Sequence, residues 1–444
     1  MKKLATQRTF CAIAALLFCA ESQIVRGQEA VTSTTSSSTG TTSSSATTAD
    51  STANTPSSAA TATTSSGQAP AVSSQPSGAG VFSPSPVQIL ASISGGYDDN
   101  INTASSHEQS AFTNGSVVLA YDFGNPRLQL ALNAGAGGTY YYESLANQNY
   151  DIDLRGGLGI TYKAAPRLTL GSSIVIAYLT EPTFDYAGGL NRRNGNYFYT
   201  TDKFFALYAW TRRFSTKTSY TLDALSYDDA SIAAFANRVE NTFGNEFQYQ
   251  VVPTTKLIGE YRFGIVTYEH ALRDSTTHFV LAGLNHTFNP RLSASVRGGA
   301  EFRFYEADGD RIGPYFEGNL TYAVGKRTSV SWTNRYGIEE PDVPDAQSRT
   351  TFRTGLQGKY DFTSRISSRL AAYYEHSDYR GSVSSSVPSM PFAEDSVDLE
   401  LTLRYALARY LRIEAGYNHA EISSDMGSRE YSRNRYFGGL NFTF

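Results

Sequence analysis

The sequence predicts an all-β chain, a transmembrane antiparallel up-and-down β-barrel of about 18 strands, or 16 if two stretches with blurred faces are left out, preceded by a disordered tether. Three observations lead there. The composition is that of strands, apolar residues alternate at period two over long runs, and short turns alternate with longer polar loops.

The 444 residues include 37 Gly, 30 Tyr and 25 Phe but only 3 Met, with 18% charged, which favours pleated sheet over helix bundles. A net charge of −4 provides no basic field, so nucleic acid is not an expected partner. Both cysteines, Cys11 and Cys19, fall within the first twenty residues. Removal of that segment leaves no thiol for a disulfide framework, a Cys-ligated zinc or covalent catalysis.

Lys2, Lys3 and Arg8 precede an uncharged run from Thr9 to Ala20, the layout of a secretory signal, assigned to residues 1–27. The run is too short to span a bilayer. From Val31 to Gly80, 28 of 50 residues are Ser or Thr, Asp50 is the sole charge, and Tyr, Trp, Phe and Leu are missing. Such a segment cannot bury enough apolar surface to offset its ordering entropy, so residues 28–86 are expected to form a disordered periplasmic linker. An O-glycosylated stalk or a cell-wall-contacting arm is the functional alternative.

The remaining residues, 87–444, carry the strands. Leu128, Leu130, Leu132, Ala134 and Ala136 alternate with Gln129 and Asn133; Val296 and Phe302 alternate with Arg297 and Arg303; Leu399, Leu401 and Leu403 alternate with Glu400, Thr402 and Arg404. Runs this long suit tilted strands that cross lipid, where about 9 to 11 residues are needed. No stretch after the signal offers eighteen consecutive apolar residues. A chain that crosses lipid in strands must close its sheet, because an open edge leaves backbone groups unpaired.

Turns such as Gly124-Asn125-Pro126-Arg127, Asn289-Pro290-Arg291 and Thr363-Ser364-Arg365, with a less distinct one near Ser215, recur once per pair of strands. Longer polar stretches separate them, including Glu181 to Asn196, Asp228 to Ala236 and His376 to Glu394. Short turns on one side and long loops on the other are the pattern of barrels in the outer membrane of Gram-negative bacteria. The stretches Phe204–Phe214 and His278–Phe288 have ambiguous faces, hence the lower count.

If the polar faces point inward, the pore-lining candidates include Arg155, Arg262, Arg297, Glu301, Arg303 and Arg335. Arg353, Arg369, Glu400, Arg404, Arg412 and Glu414 complete the set. The signs are mixed, so strong ion selectivity is not expected, and an 18-stranded bore is too wide for side chains alone to fill. Opposed charges that pair and fill the lumen are the bland reading. Loop carboxylates such as Asp98, Glu339, Glu340, Asp342 and Glu394 read as solvated charge, the alternative being an outer acidic rim that shares divalent cations with lipid phosphates or binds polysaccharide.

The chain ends in Phe437-Gly438-Gly439-Leu440-Asn441-Phe442-Thr443-Phe444. This resembles the C-terminal assembly signal of bacterial outer-membrane barrels at Gly439, Phe442 and Phe444, with Phe437 standing where a polar residue is usual. Tyr97-Asp98-Asp99-Asn100-Ile101, at the close of the first strand, is similar to the start of the putative beta-barrel porin families. The resemblance covers residues 88 to 444. It implies an outer-membrane barrel in contact with lipid and lipopolysaccharide, inserted by the barrel-assembly machinery, and places a link to polysaccharide export among its associations.

Catalysis is not expected. His278 and His286 share a strand face but stand roughly 26 Å apart, too far for one metal. His-Glu-x-x-His and Gly-x-Ser-x-Gly motifs are missing from the sequence. No metal or cofactor is expected, and the reading is a porin-like channel for passive passage of small polar solutes. The alternatives are a structural or adhesive surface barrel, or a conduit for exported glycan.

Overall fold

The computed structural model describes residues 87–143, 149–180, 192–193, 195–307, 309–381 and 391–444. The expected signal and linker lie outside the described residues, as do residues 181–191 and 382–390 of two expected loops.

Strands β1 (Val87–Asp98), β2 (Ser110–Gly124), β3 (Leu128–Tyr141), β4 (Tyr150–Ala165), β5 (Leu168–Leu179) and β6 (Tyr197–Ala209) open the sheet. It continues through β7 (Phe214–Tyr227), β8 (Arg238–Val252), β9 (Thr255–Tyr268), β10 (Ser275–Asn289), β11 (Leu292–Tyr305) and β12 (Arg311–Ala323). β13 (Thr328–Glu339), β14 (Ala346–Asp361), β15 (Ile366–Gly381), β16 (Phe392–Ala406), β17 (Leu411–Ser424) and β18 (Tyr431–Thr443) complete it. Each strand pairs antiparallel with its sequence neighbours, and β1 pairs with β18, so the 18-stranded sheet closes.

At the seam, Ile89 and Phe444 exchange backbone hydrogen bonds of 3.0 and 2.9 Å. Gly439 lies opposite Ser94, and a Cβ there would stand 2.6 Å from the Ile93 carbonyl oxygen, so closure at this point requires glycine.

Connections of two to four residues alternate with connections of five to seventeen. The short ones are tied by their own side chains. Asn125 Oδ1 accepts from the backbone N–H groups of Arg127 (2.8 Å) and Leu128 (2.7 Å), and Thr363 Oγ1 accepts from Arg365 (3.1 Å) and Ile366 (3.0 Å). Gly325 takes φ +85°, a conformation that L side chains avoid.

Alternation sends apolar side chains outward and polar ones inward. Val296 is 42% exposed on the outer face while Arg297 next to it is 7% exposed, and Leu401 (48%) stands beside Glu400 (7%). Aromatic rows bound the outer band, with Tyr162, Tyr249, Tyr322, Tyr360 and Tyr405 near the short turns and Tyr97, Tyr140, Tyr150 and Phe304 near the long loops.

The expected turn near Ser215 lies at residues 210–213, with Ser215 already inside β7. The stretch Phe204–Phe214 therefore crosses a strand end, which is why its faces could not be read. In β10 the blur has another source: His278 and His286 point outward, hydrogen-bonded to Tyr261 Oη (2.7 Å) and Thr255 Oγ1 (2.8 Å), so polar groups interrupt an apolar face. The expected loop from His376 to Glu394 is shorter than its polarity suggested. β15 runs on to Gly381 and β16 starts at Phe392, with Ser377 opposite Glu394. Beyond the bilayer both faces of a hairpin can be polar, so polarity stops marking the strand end.

The expected loop from Asp228 to Ala236 contains a helix, α1 (Ala230–Ala236). Asp229 caps it, its Oδ1 accepting from the N–H groups of Ser231 (2.8 Å) and Ile232 (3.3 Å). Ile232, Ala233 and Phe235 pack against a buried cluster that includes Leu179, Tyr197, Tyr199, Leu225 and Tyr227. A second cluster joins Ile101, from the β1–β2 connection, to Phe112, Tyr141 and Phe437. The aromatic Phe437, unusual in the terminal pattern, thus has a packing role at the long-loop end of the barrel.

Candidate pore lining and mouth

All twelve candidate lining residues occupy the inward register, but most of them meet a countercharge. Arg297 contacts Glu246 (2.9 Å), Glu260 (3.0 Å) and Glu317 (3.2 Å) from three other strands. Arg262 reaches Glu260 (2.6 Å) and Glu317 (2.9 Å) in the same cluster. Higher up, Arg303 contacts Glu301 (3.1 Å) and Glu340 (2.5 Å), while Arg335 stands 3.6 Å from Glu339. Arg353 meets Glu375 at 2.6 Å, Arg155 meets Asp153 at 2.7 Å, and Arg404 meets Glu414 at 2.5 Å. Glu400 is buried on β16.

Arg369 and Arg412 differ. Neither has a carboxylate within ion-pair distance among the described residues, and Arg369 lies directly across from Lys359 on β14, whose own partner is Asp361 at 3.4 Å. Like charges opposite each other are unfavourable unless solvent or an anion separates them. Both arginines lie toward the short-turn end, so the lumen is charge-compensated near the long loops and basic along β14–β17 below.

The long-loop end holds a feature that the sequence reading missed. The β13–β14 connection, residues 340–345, is held from several sides. Tyr268 Oη on β9 donates to Glu340 (2.6 Å), as does Arg303 on β11. Tyr379 Oη on β15 donates to Asp342 (2.6 Å), and Arg429, in the β17–β18 connection, reaches Asp342 at 2.9 Å and Glu394 at 2.5 Å. Arg273, between β9 and β10, donates to the Val343 and Ala346 carbonyls at 3.0 Å each and to the Phe235 carbonyl of α1. The six residues 340–345 are thus tied to β9, β11 and β15 and to the β9–β10 and β17–β18 connections. On another side, Arg192 contacts Glu394 at 3.2 Å and Arg193 pairs with Asp151.

For these carboxylates the contacts correct both the solvated reading and the acidic-rim alternative. Asp98 is fully buried against Arg433, and Glu339, Glu340 and Glu394 are also buried among arginines rather than presented to lipid phosphates. Burial pushes the Asp342 carboxyl up, but Arg429 and Arg349 outweigh it and hold the group well below the usual carboxylate range. Burial likewise works against the charged form of Arg429, and Asp342 and Glu394 hold its guanidinium protonated. The rings of Tyr379 and Phe392 stack at 4.3 Å, and the Arg429 guanidinium lies over both, at 5.6 and 5.7 Å. Separation in sequence hid this cluster, whose members come from strands and connections far apart along the chain.

The assembly candidates sit at the closing strand. Phe442 and Phe444 are on the outward register, their rings 6.4 Å apart, and Phe444 is exposed. Gly439 is the close-approach position at the seam.

Among solved structures, OccAB4 of Acinetobacter baumannii is 13% identical over 81% of this chain and 99% of its own, with a TM-score of 0.43. The outer membrane protein opdK of Pseudomonas aeruginosa is 12% identical over 81% and 99%, with a TM-score of 0.43. No curated protein matches the sequence. The family described as Putative beta-barrel porin 2 matches residues 82–444, the whole of the closed sheet, and the chain belongs to that family of outer-membrane β-barrel porins.

Proposed function

We propose that the barrel is a water-filled pore for passive passage of small polar solutes, narrowed at its outer mouth by the β13–β14 connection and lined below by Arg369 and Arg412. The observation that carries this reading is an inward face of charged and polar side chains around a bore that 18 strands make too wide to fill. Paired charges in the upper lumen neutralise one another, so the pore discriminates weakly by sign; the two lower arginines tilt it toward anions. The inward register supports a lining role for all twelve candidates, as countercharge partners in the upper lumen and as solute contacts in the lower.

The same reading divides the chain into a signal at 1–27, a periplasmic linker at 28–86 and a barrel from 87. It assigns Phe442 and Phe444 to recognition by the barrel-assembly machinery, supported by their outward register on the last strand. The mouth network favours a second reading, a closed surface barrel with a structural or adhesive role. Planar-bilayer recording separates the two. Stable conductance steps are expected, with Arg369→Glu plus Arg412→Glu shifting the reversal potential toward cations. Folded protein that never conducts would leave the closed barrel.

A further inference from the structure

The outer face of β6–β8 departs from the rest of the lipid-facing surface. Between the aromatic rows, Asp202 is the one Asp, Glu, Lys or Arg that the described strands turn outward. Tyr208, in the aromatic row near the short turns, lies six residues along β6. For a strand tilted by about 40° this separation puts Asp202 about 15 Å above that row, among the acyl chains and beyond reach of headgroups. Its register partners are Ile174 on β5 and Leu222 on β7, so no cation faces it. Thr200 Oγ1 is 3.0 Å from its carboxylate and also 3.0 Å from the Val175 carbonyl, with one proton for both.

Asn241 and Asn245 of β8 share this face, in register with Leu222 and Thr218. Tyr220 Oη donates to Asn241 Oδ1 at 2.8 Å, and Thr218 Oγ1 donates to Asn245 Oδ1 at 3.3 Å. Both amide N–H groups are left without an acceptor among the described residues. A carboxylate short of donors and two amides short of acceptors therefore flank Leu222, in a solvent that supplies neither. Polar side chains turned toward lipid find their partners on neighbouring proteins.

We propose that this face is the contact between two copies of the chain in the outer membrane, with Leu222 near its centre and the carboxylate of Asp202 in one copy taking amide N–H groups of Asn241 or Asn245 in the other. The patch holds both halves of the interaction, which is what an isologous contact requires.

The test uses the full chain. Light scattering in detergent should give a dimer, and Asp202→Leu should weaken it at least tenfold while the barrel keeps its heat-modifiable mobility. In native outer membranes, oxidation of Leu222→Cys should yield a disulfide-linked species of twice the mass, and Leu401→Cys on β16 should not, with the unsubstituted protein as control. A monomeric wild type, a Leu222→Cys yield no higher than that of Leu401→Cys, or cross-linking to a species of another mass would each overturn the proposal.

Discussion

Arg297→Ala removes the guanidinium that the buried Glu246 shares with the half-buried Glu260 and Glu317. Glu260 and Glu317 keep Arg262, at 2.6 and 2.9 Å, but Glu246 loses its ion pair and is left with its Gln248 hydrogen bond and with Lys217 opposite it on β7. Removing one partner of a buried ion pair costs about 3 to 5 kcal/mol, and the residual pairing with Arg262 places this variant near about 3 kcal/mol. That is roughly a 150-fold change in the unfolding equilibrium. Sequence alone would class Arg297 as a tolerant lumen position; the three contacts make it a structural one. Urea unfolding of the purified barrel in lipid vesicles, followed by the fluorescence of Trp210 and Trp332, measures the loss. Adding Glu246→Gln should recover part of it, because the buried carboxylate that lost its guanidinium is then neutral, with a coupling of about 1 to 3 kcal/mol. A loss below about 1 kcal/mol, or strictly additive effects, would refute the view that this cluster is desolvated and shared.

Val296→Arg should lower stability by about 2 to 4 kcal/mol and reduce the assembled fraction, since the side chain faces lipid; unchanged heat-modifiable protein in outer membranes would mean the register is displaced by one residue. Deletion of Phe444 should likewise reduce the folded, protease-resistant fraction, and wild-type levels would remove it from the assembly signal. The mouth should be insensitive to pH between about 8 and 5. The Asp342 carboxyl is depressed in the folded state, so its contribution is complete above the unfolded value and is lost only as pH falls through the lower folded one. A conductance step within that window would show that this carboxylate does not hold the constriction.

Strand identity and face were legible in the sequence because a side chain's direction in a strand is a local property of period two. Val296 and Arg297, or Leu401 and Glu400, fall on opposite faces whatever their neighbours do, and a chain of such strands in lipid has to close. The short turns were legible for the same reason, since Asn125 and Thr363 cap them through residues two and three positions away. Where local signals ended, so did the reading: the polar hairpin of β15 and β16 looked like a loop, and the turn after β6 was displaced. Which charges meet was decided only by closure, shear and the inward path of the connections. Arg429, Asp342 and Glu394 are scattered along the chain, and nothing within a few residues of any of them specifies the others. Hydrogen bonds and ion pairs across a lumen depend on positions set by the whole sheet, so the tertiary structure alone brings them together.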